Sequence, residues 1–482
     1  MSTRVVLTDV TVTDSDGNPV RGLTRSDFHI FDDNHPQPLA SFEEHTEAPS
    51  FVTVSSSSAN TVSNDFLLHP PSTVNVLLID TTNIGLLDQM YLYDQLTRFV
   101  NALPSGQPIA IYNRSGDVTL LLQNFTADHA LLLAAIRRSI PQFRSANAPY
   151  ESDYDTLQQM ATYLNQIPGR KNLIWLSGGS NALIYSDPAN APDLPSRRPF
   201  YDLLESERIA VDPIDVRGLS VGNLAGSAFQ QMQMAEDAKA TGGTAFYNNN
   251  GIAGFVSHTI ANDGTYYSLT YSPQNLGRDG KWHQVTIKLD NPHYHLSYRR
   301  GYFDDGQNNE PSPAKTRTML RADGRTTQVP NYHGEPIIFQ ARVLPADSPA
   351  PALAGGNPEE PPRRGQTAYS VHYMIPAADI QASSVNGNIG IDSLKSAIVA
   401  FDHFGSPVGR VLQAIKVNVD ETKLQADPHA VLAFDQSINL PSGDIYLLLV
   451  VFDTTSNRFG AINLPVAVQK PSKSKPQPAI TF

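Results

Sequence analysis

Residues 4–48 alternate apolar and polar positions in short runs, as in VVLTDVTVTDSDGNPV and FHIFDDNHPQPLASFEEH. A period of two places successive side chains on opposite faces of a strand. The segment therefore predicts antiparallel strands, with turns at DSDGNP (Asp14 to Pro19) and DDNHPQ (Asp32 to Gln37). Residues 49–72, Ser-rich around SSSS, read as a linker.

From 73 to 262 the period changes. VNVLLID is a continuous apolar run, the pattern of a strand buried on both faces. Leu92, Leu96, Phe99, Val100 and Leu103 then recur at helical spacing, predicting an amphipathic helix over 88–103. PIAIYN and VTLLLQNF read as strands flanking RSGD. Thr126 is placed to cap a helix over 127–140, and Tyr154, Leu157, Ala161 and Leu164 predict another helix, ending at Pro168-Gly169. Next come the strands NLIWLS and RIAVDPIDV, a helix over 230–240, a short strand TAFYN and a helix over 252–262. Strands alternating with helices imply a mostly parallel sheet covered on both sides.

Alternation of period two returns after Gly264, in TYYSLTYSP, KWHQVTIKLD and YHLSYRRGYF. The simplest topology pairs these strands with those of 4–48. Residues 4–48 and 264–305 then form one discontinuous β domain with 73–262 inserted, which is tolerated where a domain's ends lie close together. Residues 306–330 read as a second linker, 331–470 as a β-sandwich of about seven strands, and 471–482, rich in Pro and Lys, as a flexible tail.

Composition narrows the function classes. The 482 residues exceed one compact core. A formal charge of −12 with no clustered Lys and Arg argues against nucleic acid as a partner. With no cysteine, disulfides, thiolate metal sites and cysteine nucleophiles are excluded. No run reaches the roughly 20 apolar residues of a membrane-spanning helix, and MSTRVVLTDV does not read as a signal peptide.

The landmarks VTDSDGNPVRGLTRSDFHIFDD, IPGRKNLIWLSGG, IAVDPIDVRGL, ATGGTAFYN, YYSLTYSPQN and YRRGYF stand in an order that resembles the von Willebrand factor A-related proteins of acidobacteria. The resemblance covers residues 4–305. It implies a Rossmann-like von Willebrand factor A-type sheet within a β domain; the strand pattern of 331–470 adds an immunoglobulin-like sandwich, for an α/β plus all-β protein. It also implies a metal-ion-dependent adhesion site at the sheet's carboxyl edge.

In such a site an Asp-x-Ser-x-Ser loop, a Thr and a second Asp surround a hard cation. Asp80 matches the first ligand and Thr82 replaces the first Ser. Asn83 brings an amide, and Thr156 is the nearest match to the Thr. Ile84 stands at the second Ser position and Gly178 at the second Asp. This degenerate set leaves room for weak Mg2+, Mn2+ or Ca2+ binding at most. With the ion absent, Asp80 is expected to cap backbone amides in its turn.

Other groupings are weaker. DSDGNP lacks the closing Glu of a calcium loop. His293 and His295 share a strand face without a third ligand, and no Gly-x-Ser-x-Gly elbow is present. The expectation is a noncatalytic protein-binding or adhesion-type module, secreted, periplasmic or at the cell surface. Its partner is another protein, met at a rim of Asp80, Asn83, Asn113, Ser177 and Asp215. A structural scaffold with an inactive site and a hydrolase with an unrecognised site are the alternatives.

Overall fold

A computed structural model describes residues 5–46, 61–65, 73–82, 84–103, 107–115, 118–139, 153–164, 167–180, 201–219, 224–274, 280–304, 318–322, 325–329, 336–346, 348, 361–377, 383–385, 388–402, 406–420, 431–453, 456 and 458–469. The chain is mostly β, with several sheets and few helices. It divides into two compact units. The first holds residues 1–53, 69–320 and 326–331; the second holds 54–68, 321–325 and 332–482.

In the first unit the strands β1 (Val6–Thr13), β2 (Phe28–Asp32), β3 (His35–Gln37) and β4 (Leu39–His45) come from the N-terminal segment. Strands β11 (Tyr266–Tyr271), β12 (Trp282–Leu289), β13 (His295–Tyr298) and β14 (Gly301–Phe303) come from beyond residue 264. They interleave in two four-stranded sheets, ordered β13-β1-β11-β4 and β14-β12-β2-β3. One core joins both sheets: Val10, Val12, Phe28, Ile30, Tyr267, Leu269, Tyr271, Val285 and Ile287 are all buried. Period-two patterning made this possible, since each strand carries one apolar face to that core.

Between these segments runs a five-stranded sheet ordered β10-β9-β6-β7-β8, formed by β6 (Thr73–Asp80), β7 (Ile109–Ser115), β8 (Val118–Thr126), β9 (Arg170–Ser177) and β10 (Ile209–Asp215). Strands β10, β9, β6 and β7 are parallel, and β8 is antiparallel to β7. Every residue of β6, β9 and β10 is buried, which explains their unbroken apolar runs. Helix α1 (Leu86–Ala102) packs on α2 (His129–Arg138) and α6 (Ile252–Asp263), while α5 (Leu224–Thr241) lies on β10. Helix α3 (Asp153–Leu164) precedes β9, and α4, described over 201–206, precedes β10.

This sheet and the β segments are joined by polar clamps. Arg208 donates from Nε and Nη2 to both oxygens of Asp9 on β1, at 2.8 and 2.7 Å. Arg299, after β13, donates to Leu204 O at 2.6 Å. Tyr201 packs edge-on against Trp282 and Phe303. The two parts lie within one compact unit.

Three local expectations change. The cap of α2 is Asp128, not Thr126: its carboxylate accepts from the N–H groups of Ala130 (2.7 Å) and Leu131 (3.2 Å). Thr126 instead accepts from Asp128 N at 3.1 Å. TAFYN forms only an isolated bridge between Ile214 and Phe246. Within the predicted linker 49–72, Thr61–Ser63 is a strand, β5.

That strand belongs to the second unit, where it pairs with Gln340–Pro345. Gln366–Pro376 and Val431–Pro441 complete a four-stranded sheet. A five-stranded sheet of Ser383–Val385, Asn388–Phe401, Pro407–Asp420, Gly443–Asp453 and Arg458–Val468 shares its core. At the centre Tyr373 stacks on Phe434, ring centroids 4.6 Å apart.

Candidate functional site

Parallel strands end together, so β6, β7, β9 and β10 bring Asp80, Arg114, Ser177 and Asp215 to one carboxyl edge. Asp80 is fully buried. Its Oδ2 accepts from Arg114 Nη1 at 3.0 Å and lies 3.2 Å from Ser177 Oγ, and its Oδ1 accepts from Thr82 N at 3.1 Å. The expected cap of the turn after β6 is thus present, together with a stronger partner from β7.

Arg114 also donates from Nη1 to Asp153 Oδ1 at 2.5 Å. Asp153 is the first residue of α3, where the helix N-terminus favours a carboxylate. All three side chains are inaccessible to solvent. Burial works against the guanidinium's charge, yet attraction to Asp80 and Asp153 exceeds it and raises the pKa of Arg114 above its ordinary value.

This arrangement does not fit a divalent ion. The cationic position beside Asp80 is held by a guanidinium, and an added dication would face a like charge at contact distance. Ser177 Oγ is shared between Asp80 and Gly179 O, 2.7 Å away. Gly178 offers no carboxylate, and Ile84 is buried. Thr156 is buried one turn along α3 from Asp153, and Thr82 contributes its backbone N–H to Asp80. Asn83, of both the predicted metal set and the predicted rim, lies outside the described residues.

The rim itself needs correction. Asp80, Asn113, Ser177 and Asp215 are all buried and present no surface to a partner. Asp215 is two strands from Asp80 and has its own clamp. Arg217 grips both its oxygens at 2.8 Å, and Gln231 of α5 donates to it at 3.1 Å. Asn113 alternates with Arg114 along β7 and so faces the other side of the sheet.

What the edge does expose is apolar. Leu87, Met90 and Tyr91 on the first turns of α1 are 80%, 63% and 38% exposed, and Leu219, after β10, is 63% exposed. Asn250 links two of these residues: its carbonyl accepts from the Tyr91 hydroxyl, and its Oδ1 accepts from the backbone N–H of Leu219 at 2.9 Å. Phe229 and Met232 on α5 and Tyr247 are also exposed.

Two participants were missed in the sequence. Arg114 stood beside a turn, where an Arg is ordinarily solvated, and Asp153 stood in a polar stretch. The available signal was Asp153 three residues before Thr156, hence on the same helix face. His293 and His295 are exposed, and Asp14 folds DSDGNP onto itself by accepting from Asp16 N and Asn18 N at 2.9 and 2.8 Å.

No family model and no curated protein matches the chain. Solved structures that it resembles include a von Willebrand factor type A protein from Catenulispora acidiphila, at 12% identity, covering 55% of this chain and 74% of that one, with a TM-score of 0.28. A second is the pilus adhesin SpaC from Lactobacillus rhamnosus, at 9% identity, covering 82% and 53%, with a TM-score of 0.30. A third is the PilB minor pilin from Streptococcus sanguinis, at 12% identity, covering 40% and 62%, with a TM-score of 0.27. The chain spans less than two thirds of the adhesin's and the pilin's own lengths. The neighbours thus include von Willebrand factor A domains and pilus proteins, each at low identity and over part of its length.

Proposed function

We propose that the chain is a noncatalytic, adhesion-type protein-binding module of von Willebrand factor A character, acting outside the cell or at its envelope. In this reading it meets its protein partner at the carboxyl edge of the parallel sheet without a metal ion. The observation that carries it is the exposure of the apolar side chains Leu87, Met90 and Tyr91 at the start of α1 and of Leu219 after β10, with Asn250 bonded to both the Tyr91 hydroxyl and the Leu219 N–H. Contiguous exposed apolar surface on a folded domain marks a contact site. Loops at this edge of an open α/β sheet are where such folds bind.

The Asp80–Arg114–Asp153 cluster has a structural part in this reading. It neutralises the acidic lip from within and holds β6, β7 and α3 in register beneath the apolar surface. In an intact metal-dependent site the ion performs both tasks.

The test is capture of the full chain on a panel of immobilised bacterial surface and fibrous extracellular proteins. Leu87→Ser with Leu219→Ser is compared with the parent, each with and without EDTA. Capture that is lost in the double variant and insensitive to EDTA supports the proposal. Capture that survives the double variant, or that EDTA abolishes, sinks it.

A further inference from the structure

Away from the parallel sheet, a second group of ligand atoms lies where β2 turns into β3. Asp32 pairs with His35 across a two-residue loop, Asp33-Asn34, whose φ values of 47° and 66° are those of a type I′ hairpin turn. The turn is bound to β12 in both directions: Asp33 N donates to Gln284 O and Gln284 N donates to Asp33 Oδ1, each at 2.9 Å. Those bonds aim the other oxygen of Asp33 at His283, 2.9 Å from its Nδ1. Asp32 Oδ1 approaches the same nitrogen to 3.6 Å.

Each of these side chains is fixed by a further neighbour. The far oxygen of Asp32 accepts from the buried hydroxyls of Tyr271 (2.9 Å) and Tyr302 (2.7 Å). The His283 ring stacks on Tyr302 at 5.3 Å and 14°. Such outer contacts are what orient metal ligands. The side chains of Asp32 and His283 are 6% and 13% exposed, whereas Asp33 is 48% exposed, so the cluster opens to water on one side.

We infer that Asp32, Asp33 and His283 form a binding site for a divalent transition metal of the Zn2+ class. With metal–ligand bonds of about 2.0–2.1 Å, ligands sit about 3.0–3.4 Å apart in octahedral or tetrahedral coordination. The separations of 2.9 and 3.6 Å from His283 Nδ1 fall close to that range, and the three ligand atoms all lie within 4.8 Å of one another. One imidazole with two carboxylates suits Zn2+ better than Mg2+ or Ca2+, which favour all-oxygen shells. His283 ligates as the neutral imidazole through Nδ1, and water fills the open side.

The consequence is structural. Asp32 and Asp33 precede the inserted parallel sheet and His283 follows it. An ion here staples the two halves of the β segments across everything between them.

The experiment titrates Zn2+ into the metal-stripped full chain, reading stoichiometry and affinity by calorimetry and the thermal midpoint in parallel. Asp33→Asn is the discriminating variant, because Asn tolerates positive φ and keeps the turn. His283→Ala is the second. The expected result is one saturable site that raises the midpoint, weakened at least tenfold in each variant. Absence of saturable binding, or equal affinity in both variants and the parent, overturns the inference.

Discussion

Replacing Arg114 by Met keeps an apolar stem and removes the charge that lies between Asp80 and Asp153. Its guanidinium lies 3.0 and 2.5 Å from the two carboxylates. At an effective dielectric of about 20, Coulomb's law assigns each contact about 5–7 kcal/mol before desolvation. Desolvation of the guanidinium offsets part of this. Breaking a buried pair by removing one partner therefore costs about 3–5 kcal/mol, and Arg114→Met is expected to lose that much.

Urea unfolding followed by tryptophan fluorescence reads it. Both tryptophans, Trp175 on β9 and Trp282 on β12, belong to the unit that contains the cluster. Asp80→Asn and Asp153→Asn added to Arg114→Met are expected to restore most of the loss, since no uncompensated charge is left. Millimolar Mg2+ is expected to stabilise Arg114→Met and leave the parent unchanged, because only the variant has room for a cation between the carboxylates. An Arg114→Met midpoint within experimental error of the parent, or an equal Mg2+ response in both, refutes the argument.

Further outcomes follow from other contacts. Burial pushes the Lys171 ammonium down to about 8, against the pull of Glu207. Between about pH 8 and 10 the unfolded chain then holds the extra proton, so stability rises with pH by up to the order of 3 kcal/mol, and Lys171→Met abolishes that rise. For Asp9, burial pushes the pKa up, but the Arg208 bonds outweigh it and hold the carboxyl below its usual range. Its contribution is complete above about pH 4 and is lost as pH falls through the folded value; Asp9→Asn removes that part of the acid loss in a pH series of urea melts. At Gly179 (φ +143°) an added Cβ would lie 2.6 Å from the Gln230 side chain, so Gly179→Ala costs about 1–3 kcal/mol, measured in the same melts.

Hydrophobic period alone determined a good deal about this protein. Runs such as VNVLLID and NLIWLS, short and apolar, matched strands covered on both faces, and the period-two segments before and after them matched strands with one wet face. The sequence also placed Asp80 at a strand's end.

Which charge meets Asp80 was decided by tertiary structure. Asp80, Arg114 and Asp153 come from three separate elements, and neither an Arg beside a turn nor an Asp at a helix start declares whether it is solvated. The register of β6 against β7 sets Asp80 opposite Arg114, and the start of α3 closes over both. A lone carboxylate is read from the chain, but its pairing depends on strand order and burial, which no local pattern encodes.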